Sequence, residues 1–217
     1  MKSKLNIPNT LSLIRVLLVP TFVLSLLLMR DIEIWGLVVP SLIFLITAIT
    51  DILDGKIARK YNLITDFGKF IDPLADKFLV IGSQIAILAH LLIRGEITEG
   101  LVFVWVVLII LLRELAVTSI RLVVAGKSGI VVAASIFGKI KTVSQVVCTL
   151  VIILEPLVFP FFAENHIAAY IAMGVMCFTT IFSGLDYLKA YLPYIDSNKS
   201  SAKAGTANRS ACSFGIS

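Results

Sequence analysis

Apolar and polar residues follow one another along this chain in long blocks rather than at alternating positions. Six apolar blocks are separated by short segments that carry charged residues, Gly and Pro. A helix of roughly 20 apolar residues is long enough to cross the hydrocarbon core of a bilayer. The pattern therefore predicts six transmembrane helices, at residues 10–29, 34–50, 72–93, 101–124, 138–153 and 167–188.

The segments between these blocks predict turns and loops. Charged turns are expected at residues 30–33 and 94–100, and a polar connection is expected at 55–70. Small residues at 125–137 and two prolines within 155–166 predict two further loops. Residues 195–217 are rich in Ser, Ala, Lys and Gly, which predicts a disordered tail after a membrane domain at 1–194.

Composition supports an integral membrane protein. Of the 217 residues, 58% are hydrophobic and only 15% are charged, and the mean hydropathy is +0.98. A soluble domain averages about 25% charged residues. Continuous apolar runs, without the alternation of barrel strands, indicate an all-α fold. The net charge of +5 follows from where the basic residues lie, so we expect no nucleic-acid partner.

The basic residues predict the orientation of the helices. Six spans place both termini on one side of the membrane, and all but Arg30 and Arg94 of the 19 Lys and Arg residues fall on that side. Because basic residues stay on the cytoplasmic side, both termini are expected in the cytoplasm of a multi-pass plasma (inner) membrane protein. Arg15 lies inside the first span, where it either extends to the interface or lines a site.

Five aspartates stand in residues 51–76, between two apolar blocks. Carboxylates near hydrocarbon are costly, so such a cluster predicts a functional site, here at the cytoplasmic face. Asp51 and Asp54 are three residues apart and Asp72 and Asp76 are four apart, so each pair shares one helix face. Four converging carboxylates need a cation, and oxygen-only ligands favour Mg²⁺ or Mn²⁺ over zinc.

The same stretch resembles the signature of the CDP-alcohol phosphatidyltransferases. It matches D-x2-D-G-x2-A-R-x8-G-x3-D-x3-D at every fixed position, including Gly55, Arg59 and Gly68. The resemblance implies that a CDP-linked lipid donates its phosphatidyl group to an alcohol while CMP leaves. It also implies that Asp51, Asp54 and Asp72 bind metal, two ions in all, and that Asp76 binds metal in part and acts as the general base. A homodimer is expected on the same ground.

The resemblance also implies which residues bind CDP-diacylglycerol. Gly55, Arg59 and Thr65 match the nucleotide-binding positions, and Arg59 is in any case suited to bind a diphosphate through its bidentate guanidinium. Asn9, Thr10 and Ser12 match a shorter segment of the family that contacts the nucleotide. For these three the alternative is that they are ordinary polar residues at the start of a helix.

The second half of the chain supplies candidates for the acceptor site. Basic residues concentrate on the predicted cytoplasmic side, at Arg113, Arg121, Lys127, Lys139 and Lys141. A single lysine there has the alternative role of an ordinary positive-inside residue. Without a bound anion these cations would have no partner in the membrane, so we expect Arg113, Arg121, Lys139 and Lys141 to bind an acceptor phosphate, with Lys139 and Lys141 on different helix faces.

Residues 113–121 and 133–145 resemble the bacterial phosphatidylglycerophosphate synthases within the family, as do residues 6–15. This resemblance implies sn-glycerol 3-phosphate as acceptor. Other acceptors of the family, namely inositol phosphate, serine and phosphatidylglycerol, stay open as alternatives. An intramembrane prenyltransferase would need a second Asp-rich motif. A cation transporter with a carboxylate site would need carboxylates along a path across the membrane.

Overall fold

The computed structural model of the chain is all-helical wherever the chain is described. It describes the backbone of residues 7–32, 34–61, 66–128, 136–163 and 165–212, and the side chains of residues 10, 12–32, 34–51, 71, 74–124, 136–161 and 165–191. In this part of the chain the helices are α1 (Ile7–Leu28), α2 (Trp35–Tyr61), α3 (Asp66–Ile93), α4 (Ile97–Ser128), α5 (Ile136–Val158), α6 (Pro160–Ala163) and α7 (Ile167–Cys212).

The six long helices coincide with the six predicted apolar blocks. Four of them contain stretches long and apolar enough to cross a membrane: Leu74–Ile93, Ile97–Val124, Ile136–Val158 and Ile167–Tyr191. The apolar parts of α1 and α2 are shorter, Ser12–Leu28 and Trp35–Asp51. The finding is therefore an all-α membrane protein with four such helices among the residues whose side chains are described, and six spans stay a prediction.

Several predicted loops are partly helical. Helix α2 continues to Tyr61 and α3 begins at Asp66, so most of the predicted connection at 55–70 belongs to these helices. Helix α4 runs on to Ser128 and α5 begins at Ile136, which shortens the predicted loop at 125–137. The predicted loop at 155–166 contains the end of α5 and the short α6. Helices extend past the membrane core because their backbone hydrogen bonds do not depend on apolar side chains.

The backbone of the predicted tail is described as far as residue 212. Helix α7 continues to Cys212, where the composition predicts disorder from residue 195. Alanines among these residues favour a helix even where no apolar face is present. The side chains beyond residue 191 lie outside the described part. The domain boundary at residue 194 therefore stays a prediction.

Helix packing brings the two halves of the chain together. Helix α1 packs mainly on α2 and α3, whereas α7 packs on α5 and α4; the contacts α3–α4 and α2–α5 join these groups. Phe22 and Phe44 meet in the core with ring centres 5.3 Å apart. A Cβ added at Gly82 would lie 2.8 Å from Val19, so this glycine allows α1 and α3 to approach closely.

Polar side chains link helices inside the bundle. Gln84 of α3 donates to Thr149 of α5 at 3.1 Å, and Ser144 of α5 lies 2.7 Å from Thr179 of α7. Hydrogen bonds of this kind hold membrane helices in register, because lipid offers these groups no partner. Gly95 has a φ of 84° and forms the turn between α3 and α4, a conformation that glycine adopts without strain.

Candidate active site

The Asp-rich motif lies on the facing ends of α2 and α3. Asp51, Asp54, Gly55 and Arg59 are on α2, whereas Asp72 and Asp76 are on α3. The side chains of Asp54, Arg59 and Asp72 lie outside the described residues, as does Thr65 altogether. Of the predicted metal ligands, the side chains of Asp51 and Asp76 are therefore the two that can be placed.

Asp51 and Asp76 bring two carboxylates from neighbouring helices together. They lie close enough for their charges to repel each other. Asp76 is exposed and Asp51 is partly buried. Two carboxylates that repel each other across a helix contact favour a bound cation, and their oxygen atoms suit a hard divalent ion. The described side chains contain no group of three His, Cys, Asp or Glu residues that could hold a metal, so a metal site depends on Asp54 and Asp72 as well.

Arg15 of α1 forms an ion pair with the first aspartate of the motif. Its Nη1 lies 2.6 Å from Oδ1 of Asp51, and the arginine side chain is 2% exposed. Of the two roles expected for Arg15, this ion pair supports a position beside the predicted site. Asp51 thus has one cationic partner within the protein itself.

The predicted nucleotide residues of α1 lie at the same end of the bundle. Ser12 is buried and Thr10 is partly exposed, one to two turns before Arg15. The side chain of Asn9 is outside the described part of the chain. The position of Thr10 and Ser12 near Asp51 fits a contact with a ligand of the motif, and their role in nucleotide binding stays a prediction.

A second charged cluster surrounds Glu114 of α4. This carboxylate contacts Lys141 of α5 through a short ion pair, and its Oε1 lies 2.9 Å from Nη1 of Arg113. Lys77 of α3 has its Nζ 3.8 Å from Oε2 of Glu114 and donates to the Glu114 carbonyl oxygen at 3.2 Å. Three helices thus contribute one cation each to a single buried carboxylate. We call Lys77, Arg113, Glu114 and Lys141 the Glu114 cluster.

Helix α7 completes the surroundings of this cluster. Ser183 accepts a hydrogen bond of 2.8 Å from Nη2 of Arg113, and Tyr187 accepts one of 2.5 Å from Nη2 of Arg121. The guanidinium carbons of Arg113 and Arg121 lie 5.7 and 5.4 Å from the centre of the Tyr187 ring. Tyr187 therefore holds two of the predicted acceptor residues near each other by cation–π contacts.

The two predicted lysines of α5 differ in position. Lys141 is buried in the Glu114 cluster, whereas Lys139 is exposed. This confirms that the two side chains lie on different faces, and it places Lys141 and not Lys139 among the clustered cations. The side chain of Lys127 lies outside the described residues.

The two clusters are neighbours. Asp76 lies close enough to Lys141 and Glu114 on one side, and to Arg15 and Asp51 on the other, to interact electrostatically with all four. Lys77 follows Asp76 directly in the chain and turns towards Glu114. Asp76, for which the family resemblance implies the role of general base, thus lies between the Asp51 carboxylate and the cations of the Glu114 cluster.

Comparisons with known proteins agree with this arrangement. The family model described as CDP-alcohol phosphatidyltransferase matches residues 5–183. The chain belongs to the CDP-alcohol phosphatidyltransferase family.

Three curated relatives illustrate how similar the members are. The Bacillus subtilis (strain 168) protein named CDP-diacylglycerol–glycerol-3-phosphate 3-phosphatidyltransferase is 39% identical over 194 residues, which cover 84% of this chain and 93% of that protein. A Mycobacterium tuberculosis protein named probable phosphatidylglycerophosphate synthase is 38% identical and covers 84% of this chain and 80% of its own length. The Escherichia coli (strain K12) protein with the first name is 35% identical, over 85% of this chain and 94% of that protein.

For this CDP-alcohol phosphatidyltransferase, reasoning from sequence missed Lys77, Glu114 and Tyr187. The sequence does indicate Lys77 and Glu114, because they directly follow two predicted site residues: Lys77 follows Asp76, and Glu114 follows Arg113. A charged residue inside a span requires a partner of opposite charge. The partner of Arg113 and Lys141 is Glu114, so the expectation that these cations lack a partner without bound ligand is wrong. Tyr187 carried no such signal, since it stands far along the chain in α7.

Proposed function

We propose that this protein transfers the phosphatidyl group of CDP-diacylglycerol to sn-glycerol 3-phosphate, giving phosphatidylglycerophosphate and CMP. The family and the names of the curated relatives support this activity. The observation that carries the choice of acceptor is the position of the Glu114 cluster beside Asp76. If the acceptor phosphate binds the cations of the Glu114 cluster, the acceptor hydroxyl lies next to the Asp76 carboxylate.

The reaction requires one bond to form and one to break. The acceptor hydroxyl oxygen attacks the phosphorus that carries the diacylglycerol, and the bond from this phosphorus to the diphosphate bridging oxygen breaks as CMP leaves. The hydroxyl proton passes to the Asp76 carboxylate, which then releases it to water. Positioning and charge neutralisation account for most of the rate in such a transfer.

The remaining residues bind and orient the donor. Arg59 binds the diphosphate through its guanidinium, and Asn9, Thr10, Ser12, Gly55 and Thr65 surround the nucleotide. Asp51, Asp54, Asp72 and Asp76 would hold two divalent ions, Mg²⁺ or Mn²⁺. These ions, when bound, would supply positive charge that stabilises the negative charge developing on the phosphate of the leaving CMP. Arg15 keeps the Asp51 carboxylate in place beside them.

We also propose the location and the orientation of the protein in the cell. All six long helices cross the plasma membrane as a multi-pass domain, with both termini and the Asp76 site at the cytoplasmic face, because nearly all basic residues lie at that end. The protein acts as a homodimer. Accessibility labelling of single cysteines introduced at Lys2 and Glu96 tests the orientation: Lys2→Cys should react only from the cytoplasmic side and Glu96→Cys only from the other.

The test of the function is an acceptor panel with purified protein and CDP-diacylglycerol. sn-Glycerol 3-phosphate should support CMP release, whereas serine and phosphatidylglycerol should not. Inositol phosphate also carries a phosphomonoester that the Glu114 cluster can bind. If inositol phosphate alone supports CMP release, the family holds and the acceptor proposed here is wrong.

A further inference from the structure

Glu114 is surrounded by more positive charge than it can neutralise. Its carboxylate contacts the side chains of Lys77, Arg113 and Lys141, and the exposed fractions of the glutamate and Lys141 side chains are 10% and 4%. Three cations and one carboxylate give these four side chains a net charge of +2; the neighbouring Asp76 carboxylate is counted with the predicted metal ligands. One cation is enough for an ion pair that only joins two helices. The other two cations therefore indicate an additional role for the cluster.

The unused hydrogen-bonding capacity of the cluster indicates an anion. The buried Nε of Arg113 has no hydrogen-bond partner among the described residues. Within the same set, Lys141 contacts Glu114 alone, although an ammonium group has three N–H donors. Buried donors without partners are rare and costly, and an oxyanion with several acceptor oxygens would satisfy them together.

We propose that Glu114 is a positioning residue for the acceptor: it holds Lys77 and Lys141 side by side and sets the charge of their site at +2, which selects a dianionic phosphomonoester. This inference rests on the proposed function and deepens it. A phosphomonoester carries close to two negative charges near neutral pH, so its binding neutralises the cluster. A zwitterionic or uncharged acceptor would leave the two excess charges in place.

The position of each cation follows from its own contacts. Thr118 accepts a hydrogen bond of 2.5 Å from Lys77, which fixes this ammonium group between Glu114 and the next turn of α4. Ser183 fixes the guanidinium of Arg113 from the side of α7. Lys141 has no such second contact in the described part of the chain. The orientation of the Lys141 ammonium group therefore depends on Glu114 more than the orientations of Lys77 and Arg113 do.

The first experiment separates positioning from general structure. Glu114→Gln keeps the shape of the side chain but removes the charge that holds Lys141. The KM for sn-glycerol 3-phosphate should rise about 10- to 100-fold, as expected for the loss of a charge-assisted hydrogen bond, while the KM for CDP-diacylglycerol changes less than about threefold. Glu114→Asp should restore part of the loss. Glu96→Gln is the matched control, because it removes the carboxylate of the 3.0 Å Arg94–Glu96 pair at the other end of the bundle.

The second experiment tests whether Glu114 acts through Lys141. Lys141→Gln and the double variant Glu114→Gln/Lys141→Gln should show similar acceptor KM values, because Lys141 is the cation that depends most on Glu114, whereas Thr118 and Ser183 still fix Lys77 and Arg113. The double variant also removes both partners of the buried pair, which typically costs less stability than the loss of one partner. Strictly multiplicative effects of the two substitutions would overturn the proposal.

The outcomes distinguish this inference from the proposed function. If wild-type protein releases CMP with sn-glycerol 3-phosphate but Glu114→Gln leaves the acceptor KM unchanged, the role of Glu114 is wrong and the function holds. If Glu114→Gln raises the KM for both substrates equally, Glu114 is structural and the inference fails. If wild-type protein does not use sn-glycerol 3-phosphate at all, the proposed function fails before any variant is measured.

Discussion

The ion pair between Arg15 and Asp51 provides a prediction whose size follows from the structure. Replacing Arg15 by Met keeps most of the buried volume and removes the charge 2.6 Å from Asp51. Loss of one partner of a buried pair typically costs about 3–5 kcal/mol, because the other charge stays behind without compensation. Asp51 is 24% exposed, so water relieves part of that cost. We expect a loss near the lower end, about 3 kcal/mol.

The same variant reports on the metal. Without Arg15, Asp51 has lost a positive charge and is still repelled by Asp76, and a divalent ion between the carboxylates would replace the missing positive charge. Thermal unfolding in detergent should therefore show a large loss of stability for Arg15→Met in excess chelator and a smaller loss in saturating Mg²⁺. An equal loss in both conditions would refute the idea that Arg15 and a metal share Asp51.

Arg30→Met is the matched control for this measurement. Arg30 also pairs with an aspartate, Asp31, at 3.5 Å, but the two side chains are 42% and 84% exposed. Exposed ion pairs contribute about 0–1 kcal/mol. Arg30→Met should thus have little effect with or without Mg²⁺. If Arg15→Met were no more destabilising than Arg30→Met, the ion pair with Asp51 would not form as described.

Three further predictions concern activity. Excess chelator should abolish CMP release and added Mg²⁺ or Mn²⁺ should restore it; full activity in chelator would end the metal proposal. Asp76→Asn should lower turnover by about 10²–10⁴-fold while CDP-diacylglycerol still binds, since the amide cannot take the proton; near-normal turnover would place the base elsewhere. Lys141→Gln should raise the acceptor KM by more than Lys139→Gln does, because Lys141 is buried in the cluster and Lys139 is exposed; equal effects would contradict this.

The apolar blocks predicted the number and approximate position of the long helices, because burial in lipid requires continuous apolar runs. Helix ends were less predictable. Residues 55–61 and 66–70 carry too many charges to read as part of a span, yet the backbone continues as helix into the polar region. The 3.6-residue period predicts that the paired aspartates of each helix share one face, and of these four side chains the structure describes Asp51 and Asp76.

Contacts between residues that are far apart in the sequence could not be predicted from the pattern of apolar and polar residues. Lys77, Glu114 and Lys141 are separated by 37 and 27 positions, and the packing of α3, α4 and α5 brings them together. Local patterns cannot show which of several charged residues in different spans become partners. The sequence indicated that cations were concentrated near the site, but it did not reveal that Glu114 binds three of them.

The identity of the acceptor can be measured by CMP release from CDP-diacylglycerol in the presence of Mg²⁺. Purified protein is assayed with sn-glycerol 3-phosphate, inositol phosphate, serine or phosphatidylglycerol as the only acceptor, and the lipid product is identified by mass. We expect CMP release and phosphatidylglycerophosphate with sn-glycerol 3-phosphate. Turnover with inositol phosphate, serine or phosphatidylglycerol and none with sn-glycerol 3-phosphate would show that the proposed acceptor is wrong.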